Sequence, residues 1–307
     1  MKRAPKLEGV TVEDLPFPAD VIVETTSYCN LSCIICPYPT LKRAKGSMDF
    51  KMFKKIVDEV AVENPSTGLW VAIMGEPLLE SDRLIEMLRY AMEKGLKNVN
   101  LNTNARFLSS DVANRLLSTG LSRIIVSLDA LTKETYDRIR VGGDFDETVK
   151  NIEGLLDIKE KRKLSKPDVI VQFIVMDENE KEADAFREHW IGKGAVVKLR
   201  LKLGWGDAVA TEDLDAAGVE RNFPCPWLLR TMSIHWDGSV AQCDADYEGG
   251  YSPGDIKNQS LKEVWNGELR KRRERHWALD FSHPLCKNCK DWSVGRSTFY
   301  HPNKKEE

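Results

Sequence analysis

The chain has 307 residues, of which 42% are hydrophobic, and its formal net charge is −3. This length accommodates one large domain, or a large and a small one, and the composition excludes extended disorder. A net charge so near zero excludes binding to nucleic acid or to acidic membranes through a strongly basic surface. The sequence contains neither a long apolar run nor an apolar signal segment. We therefore expect a cytoplasmic protein without a membrane span, in which thiols stay reduced.

The first 200 residues alternate strand-like and helical segments. Six apolar runs predict strands, at residues 21–26, 69–74, 98–103, 123–128, 169–176 and 196–203. Apolar residues recur at helical spacing between them, and predicted helix caps stand at both ends, at Ser81, Ser109, Thr132, Gly95 and Gly120. This alternation predicts an α/β fold with a parallel sheet, and functional sites at the carboxyl ends of the strands. Periodicity alone leaves an open sheet, a full barrel and a partial barrel as alternatives.

The pattern changes after about residue 204, where a mixed linker extends to residue 222. Residues 232–242 predict a β-hairpin that turns at Asp237 and Gly238. Ser260 and Glu263 form the pattern of a capping box, which predicts a helix that runs to about His276. This C-terminal part is too small for a large core, so a bound metal would help to stabilise it.

Three cysteines follow the first predicted strand closely, at Cys29, Cys33 and Cys36. Thiolates at this spacing can bind three irons of a [4Fe–4S] cube, and the missing fourth cysteine leaves one iron open for another ligand. A zinc site and three unrelated buried cysteines are the alternatives.

The Cys-x3-Cys-x2-Cys motif after the first strand resembles the radical S-adenosylmethionine (SAM) superfamily. That resemblance implies a partial (β/α)6 TIM-like barrel. It implies that the open iron binds the amino and carboxylate groups of SAM. One-electron cleavage of SAM then gives a 5′-deoxyadenosyl radical that removes a hydrogen atom from a substrate.

Further short motifs at the strand ends resemble the SAM-binding motifs of the family. The segment from Met74 to Pro77 resembles its Gly-Gly-Glu motif, with Met74 at the first glycine, and residues 102–105 resemble its Thr-Asn-Gly motif. The pattern Ser-Leu-Asp at 127–129 resembles its Ser-x-Asp motif. The resemblance implies cofactor contacts from Gly75, Glu76, Asn102, Asn104, Ser127 and Arg140.

An arginine suits the carboxylate of SAM, because its fork can bind both oxygens. Arg138 is the alternative to Arg140 for this role. Ile35 stands where the family often has an aromatic residue before the third cysteine. Read without the family, these residues are an ordinary turn, a buried strand and a solvated arginine.

The remaining four cysteines are spread over the C-terminal part, at Cys225, Cys243, Cys286 and Cys289. Four thiolates suit a [4Fe–4S] cluster and a structural zinc ion equally well. Their surroundings, including the Pro-Cys-Pro-Trp segment at 224–227, resemble the twitch module, a shortened SPASM domain. That resemblance implies one auxiliary [4Fe–4S] cluster, and so two clusters in all.

The number of cysteines bears on the reaction, because all seven are assigned to clusters. Some epimerases of the family require a further cysteine that returns a hydrogen atom to the substrate radical, and none is left here. A cluster with four protein ligands has no open iron, so we expect it to accept an electron. This pattern resembles the 2-deoxy-scyllo-inosamine dehydrogenase type of enzyme. It implies oxidation of an alcohol on a small polar substrate, such as a sugar or aminocyclitol.

That reaction needs a base for the hydroxyl proton. Lys198, Arg200 and Lys202 alternate with apolar residues, so they share one face of the sixth strand. If that face looks into the barrel, Arg200 and Lys202 are candidate catalytic residues, as base or substrate clamp. If it looks outward, the three residues form a solvated face.

We divide the chain into an N-terminal extension (1–20), a radical SAM barrel (21–205), a linker (206–224), an auxiliary cluster domain (225–300) and a charged tail (301–307).

The expected partners are a small-molecule substrate and an external one-electron reductant of the flavodoxin or ferredoxin type. Crosslinking or epimerisation of a ribosomal peptide is the alternative reaction. Only about 20 residues precede the first strand, too few for a leader-binding domain, which favours a small substrate. A non-catalytic iron–sulfur electron carrier is a third hypothesis.

Overall fold

A computed structural model of the protein describes residues 14–71, 73–211, 221–293 and 297–302. Most of the predicted N-terminal extension, the middle of the linker and the end of the tail lie outside these residues. The described strands are β1 (Asp20–Val23), β2 (Gly68–Val71), β3 (Val99–Thr103), β4 (Arg123–Ser127), β5 (Asp168–Val175), β6 (Val196–Leu201), β7 (Thr231–Ile234), β8 (Ser239–Ala241), β9 (Gly254–Asp255) and β10 (Ser297–Tyr300).

The helices lie between these strands and after them. They are α1 (Phe50–Glu63), α2 (Ser81–Glu93), α3 (Ser110–Leu117), α4 (Lys133–Ile139), α5 (Phe145–Lys161), α6 (Ala183–Gly192), α7 (Pro226–Arg230), α8 (Leu261–Asn266), α9 (Glu268–Trp277) and α10 (Pro284–Lys287). Ser109 and Thr132 cap α3 and α4 through their side chains. Of the helices in the described ranges, none is both long and apolar enough to cross a membrane.

All ten strands belong to one sheet, in the order β10-β6-β5-β4-β3-β2-β1-β7-β8-β9. Strands β1 to β6 are parallel and pair in sequence order, which is the partial (β/α)6 barrel that was predicted. The C-terminal part extends this sheet at both edges, since β7 pairs with β1 and β10 pairs with β6. The α/β fold class and the partial barrel are confirmed.

The two faces of the sheet have different surroundings. The outer face packs against the helices and forms the main hydrophobic core, which includes Val23, Leu101 and Val171. The inner face carries a smaller cluster of Ile125, Ile170 and Val196. Because side chains alternate along a strand, the residues that follow at even spacing on β4, β5 and β6 also point inward.

Several predicted boundaries differ from the structure. β1 ends at Val23 instead of residue 26, and the next residues hydrogen bond with the chain near Gly46. The predicted helix from Ser260 begins at its capping box, as expected, but it breaks at Gly267 into α8 and α9. Gly267 leaves the helical region with ψ of −111°, and a Cβ there would lie 2.7 Å from the carbonyl oxygen of Glu263. The predicted hairpin is present as β7 and β8.

Candidate active site

The loop after β1 brings the first three cysteines together at the carboxyl end of the barrel. Two backbone hydrogen bonds hold this loop to the end of α4, from Ser32 N to Val141 O (2.9 Å) and from Ile34 N to Ile139 O (3.1 Å). Burial raises the pKa of Cys29 to about 11 and that of Cys36 to about 12. Without a cluster these thiols stay protonated, so cluster binding must release protons.

A buried ion pair stands beside this loop. Arg140 Nη2 donates to the Asp129 carboxylate, and Arg140 Nη1 lies 3.6 Å from Cys33 Sγ. Burial alone would lower the pKa of Arg140, but the charges of Asp129 and of a Cys33 thiolate raise it. Arg138, the alternative named from the sequence, is exposed and contacts Thr135. Arg140 is therefore the arginine that reaches the cluster loop.

The predicted Gly-Glu motif lies at the end of β2. The buried carboxylate of Glu76 accepts hydrogen bonds from Thr103 Oγ1 (2.7 Å), Asn104 N (2.7 Å) and Leu78 N (2.9 Å). These bonds tie the end of β2 to the end of β3. The backbone of Glu76 is bonded as well, since its N–H donates to Tyr28 O (2.8 Å) and its carbonyl oxygen accepts from Leu79 N (3.1 Å), so its contact with the cofactor stays a prediction.

Gly75 is required by close packing of the backbone. Its φ is +83°, and a Cβ there would lie 2.1 Å from the carbonyl oxygen of Thr26. Asn104 reaches the cysteine loop, because its Nδ2 donates to Asn30 Oδ1 at 2.9 Å. Both residues thus fix the shape of the loop that carries the cysteines.

Two buried polar atoms at this end of the barrel have no hydrogen-bond partner in the described part of the chain, Asn102 Oδ1 and Arg140 Nε. Each is an acceptor or donor that a bound ligand can satisfy. Ser127 Oγ lies on the inner face and pairs with Gln172 Nε2 at 3.3 Å. Three thiols, a buried arginine and unpaired polar atoms fit a cluster with SAM bound to its open iron.

The second set of cysteines comes from three separate segments. Cys225 precedes α7, Cys243 follows β8, and the last two lie in α10 and just after it. Burial raises the pKa of Cys243, and the charges of Cys225, Cys289, Asp244 and Cys286 raise it further, as expected of neighbouring thiols. No disulfide joins any of the seven cysteines.

The donor set fits an auxiliary cluster. In the described residues, no three His, Cys, Asp or Glu side chains converge on a point that one metal ion can occupy. A cube takes each thiolate on a different iron, so its ligands need not converge in this way. Gln242 Nε2 also donates to Cys286 Sγ at 3.1 Å, a contact that would orient this ligand.

A loop after β6 connects the two cysteine sets. Trp205 Nε1 donates to Ile35 O at 3.1 Å, one residue before the third cysteine. The carboxylate of Asp291, two residues after the last cysteine, accepts from Gly204 N (2.6 Å) and Gly206 N (3.4 Å). The segment 204–206 is thus held by both cysteine regions.

The charged face of β6 looks into the barrel. Val197 and Leu199 pack against the outer hydrophobic core, so Lys198 and Arg200 point inward. Arg200 Nε lies 3.4 Å from Gln172 Oε1, and its Nη1 donates to a backbone carbonyl. The alternative of a solvated face is wrong for these two residues.

Lys202 follows the end of β6 and is buried. A cleft of about 300 Å³ lies between the loop after β6 and the segment after Cys243. Its lining includes Trp205, Tyr247 and Tyr251. This cleft opens beside both cysteine regions.

Sequence reasoning did not assign a role to Asp129, Gln172 or Asp291, or choose Lys198 among the cations of β6. Asp129 was visible in the Ser-x-Asp motif, and Lys198 in the alternation of its strand. Nothing local marked Asp291, because its partners are 85 residues or more away in the chain.

Comparisons with known proteins agree with this geometry. The model of the radical SAM superfamily matches residues 23–189, and that of the SPASM iron–sulfur cluster-binding domain matches residues 225–290. A similar curated protein is the tungsten-containing aldehyde ferredoxin oxidoreductase cofactor-modifying protein of Pyrococcus furiosus. It is 23% identical over 312 positions, which cover 87% of this chain and 86% of that protein.

Two solved structures share the fold. BtrN in complex with AdoMet and 2-DOIA superposes with a TM-score of 0.66 and 19% identity, covering 91% of this chain and 96% of that one. Streptococcus suis SuiB bound to the precursor peptide SuiA superposes with a TM-score of 0.70 and 14% identity, covering 87% of this chain and 69% of that one. Since the superfamily model spans more than half of the chain, this protein belongs to the radical SAM superfamily, with a C-terminal SPASM-type domain and with SAM and [4Fe–4S] clusters as its cofactors.

Proposed function

We propose that this enzyme removes two electrons from an alcohol on a small polar substrate, such as a sugar or aminocyclitol, and gives a ketone. In this proposal the auxiliary cluster accepts one electron from the substrate. An external reductant of the flavodoxin or ferredoxin type supplies the electron that starts the reaction.

The observation that carries the proposal is the position of the inner face of β6 between the two cysteine sets. Arg200 pairs in register with Ile174, which packs with Cys33 and Ile35 of the first set. At the other side, Gly204 is held by Asp291 beside the second set. A substrate on this face would be within reach of a hydrogen-atom acceptor on one side and an electron acceptor on the other.

SAM bound to the first cluster supplies, on reduction, a radical that takes a hydrogen atom from the substrate. The residues of the chain orient the two molecules. Arg140, held by Asp129, is aligned to bind the SAM carboxylate, and Ser127 and Asn102 offer polar atoms to the rest of the cofactor. The charged guanidinium of Arg200 can bind a substrate oxygen.

The reaction class is inferred from the second cysteine set. Four cysteines supply a ligand to each of the four irons, so no iron can bind substrate. We therefore assign electron transfer to this cluster. An alcohol that has lost a hydrogen atom from carbon becomes a ketone when it also loses one electron and the hydroxyl proton. The fold likeness to BtrN agrees with this class and does not by itself define it.

Modification of a peptide is the second candidate, because the fold likeness to peptide-bound SuiB has the higher TM-score. The two candidates differ in the product, since crosslinking or epimerisation of a peptide gives no ketone.

The proposal is tested with reconstituted enzyme, SAM and dithionite, and a panel of polyols, sugars and aminocyclitols that carry deuterium on the alcohol carbon. We expect one panel member to give a ketone and to transfer its deuterium to 5′-deoxyadenosine in equal amounts. SAM cleavage without ketone across the panel, together with mass change of a peptide, would contradict the proposal.

A further inference from the structure

Lys198 lies in a row of polar side chains that crosses the inner face of the barrel. Ser127, Gln172 and Lys198 are register partners on β4, β5 and β6, so their side chains point the same way. Neighbouring strands are about 5 Å apart, so the row spans roughly 10 Å from Ser127 to Lys198. Ser127 is a predicted contact of SAM. The Lys198 amine therefore stands on the face that carries this predicted contact, one strand beyond Gln172.

The other side chains of this row, Ser127 and Gln172, already have hydrogen-bond partners. Gln172 pairs with Ser127 through Nε2 (3.3 Å) and with Arg200 through Oε1 (3.4 Å). In the described ranges of the chain, no carboxylate oxygen lies within 4.0 Å of the Lys198 amine, and the centre of the Phe299 ring lies 5.9 Å from it. The Lys198 amine thus remains available to a ligand in the barrel.

Burial and a neighbouring positive charge both favour the neutral form of the Lys198 amine. Burial is the larger cause and the charge of Arg200 the second, and together they lower the pKa of Lys198 to about 7. Asp129 opposes this shift, but its carboxylate is paired with Arg140. A neutral amine accepts a proton, and general bases work best when their pKa lies near the working pH.

We propose that Lys198 is the proton acceptor for the substrate alcohol, a role that rests on the dehydrogenation proposed above. The hydroxyl O–H bond breaks and an N–H bond forms on Lys198 Nζ. The hydrogen atom on carbon would go to the radical that bound SAM supplies, and the remaining electron would go to the auxiliary cluster. The products would be the ketone, 5′-deoxyadenosine, the reduced cluster and the Lys198 ammonium, which together account for the two electrons and two hydrogens that the alcohol loses.

The two residues predicted from the sequence suit this role less well. Arg200 keeps its charge at neutral pH, since a guanidinium rarely loses its proton, and it already pairs with Gln172. Lys202 lies beyond the end of β6. Arg200 instead keeps the neighbouring amine neutral and can bind the substrate oxygen.

The first test compares Lys198→Ala and Lys198→Arg with wild type and with Lys193→Met, a lysine paired with Glu153 on the outer surface. We expect both Lys198 variants to cleave SAM but to lose ketone formation, because arginine restores the charge but not the base. Added primary amines should restore turnover to Lys198→Ala. Ketone formation by Lys198→Arg at the wild-type rate would overturn the proposal and make Lys198 a binding cation.

The second test compares the titration of Lys198, measured without substrate, with the pH dependence of ketone formation. Competitive acetylation of the loaded enzyme at a series of pH values, read by mass spectrometry, gives the titration midpoint of Lys198. We expect a midpoint near 7, and wild-type ketone formation that rises through the same pH range. A midpoint near the ordinary value of 10.5 with normal turnover would overturn the role of Lys198 alone. A midpoint near 7 with no alcohol oxidised would overturn the dehydrogenation itself.

Discussion

The two cysteine sets of this enzyme are built in opposite ways. The first occupies eight consecutive residues on one loop, from Cys29 to Cys36, and neighbouring strand ends brace that loop. The second is assembled from segments that span 65 residues, between Cys225 and Cys289. A short loop can present three thiols and leave space for a fourth, external ligand. Cysteines from separate segments can surround the metal and supply its fourth ligand as well.

This difference in construction predicts a difference in function. The first site supplies three thiols and leaves a position for a second molecule, with the unpaired Asn102 Oδ1 and Arg140 Nε beside it. Arg221 Nε, near Cys286, is also unpaired, but the second site supplies four thiols. The second site is linked to the barrel through Asp291 and the loop after β6. Changes at the first site should stop the chemistry, whereas changes at the second should uncouple SAM cleavage from product formation.

The largest effect should follow loss of any cysteine of the first set. Cys29→Ala, Cys33→Ala or Cys36→Ala removes one of three iron ligands, so we expect formation of 5′-deoxyadenosine to fall to background. Chromatography of dithionite-reduced reactions measures this. Normal cleavage by any of the three variants would mean that the loop does not hold the catalytic cluster.

Loss of a ligand from the second set should separate the two activities. We expect Cys289→Ala to keep cleaving SAM while ketone formation is lost, because the electron acceptor is impaired. The ratio of 5′-deoxyadenosine to ketone should then rise far above the value for wild type. Full ketone formation by Cys289→Ala would remove the electron-acceptor role.

Arg140→Met should lower the stability of the first site and its affinity for SAM without removing an iron ligand. It leaves the buried Asp129 carboxylate without its partner, and loss of one member of such a pair costs about 3–5 kcal/mol. We expect a lower melting temperature and weaker SAM binding, measured by calorimetry. Arg138→Met, a change of equal size at an exposed position two residues away, is the control. Equal effects from both changes would refute the role given to Arg140.

The smallest effect should follow a weakening of the contact between Asp291, beside the second cysteine set, and the loop after β6. Asp291→Asn keeps the shape of the side chain but weakens its bonds to Gly204 and Gly206, at a cost of about 1–2 kcal/mol. We expect a modest fall in melting temperature and less ketone per SAM cleaved. Asp207→Asn, at an exposed carboxylate nearby, is the control. An unchanged product ratio in Asp291→Asn would show that this contact does not affect coupling.

Much of the barrel could be predicted from the sequence, because its signals are local. Alternating apolar residues located all six barrel strands to within a few residues, and Ser109 and Thr132 marked true helix caps. The first cysteine set was equally clear, since its spacing lies within one loop. The matched ranges of the two family models include both cysteine sets, and the role of each cysteine as a ligand stays a prediction.

Other features depend on contacts between distant residues. Alternation grouped Lys198 with Arg200, but only the pairing of β6 with β5 decides that this face looks inward. The break at Gly267 has no signal beyond the glycine itself. The domain boundaries and the individual SAM contacts stay predictions.

The most direct test of the account is the metal content of the anaerobically reconstituted enzyme, measured together with SAM cleavage under dithionite. Two [4Fe–4S] clusters predict roughly eight irons and as many sulfides per chain, with 5′-deoxyadenosine formed. Roughly four irons with one zinc per chain would contradict the account, because the proposed alcohol oxidation would then lack its electron acceptor.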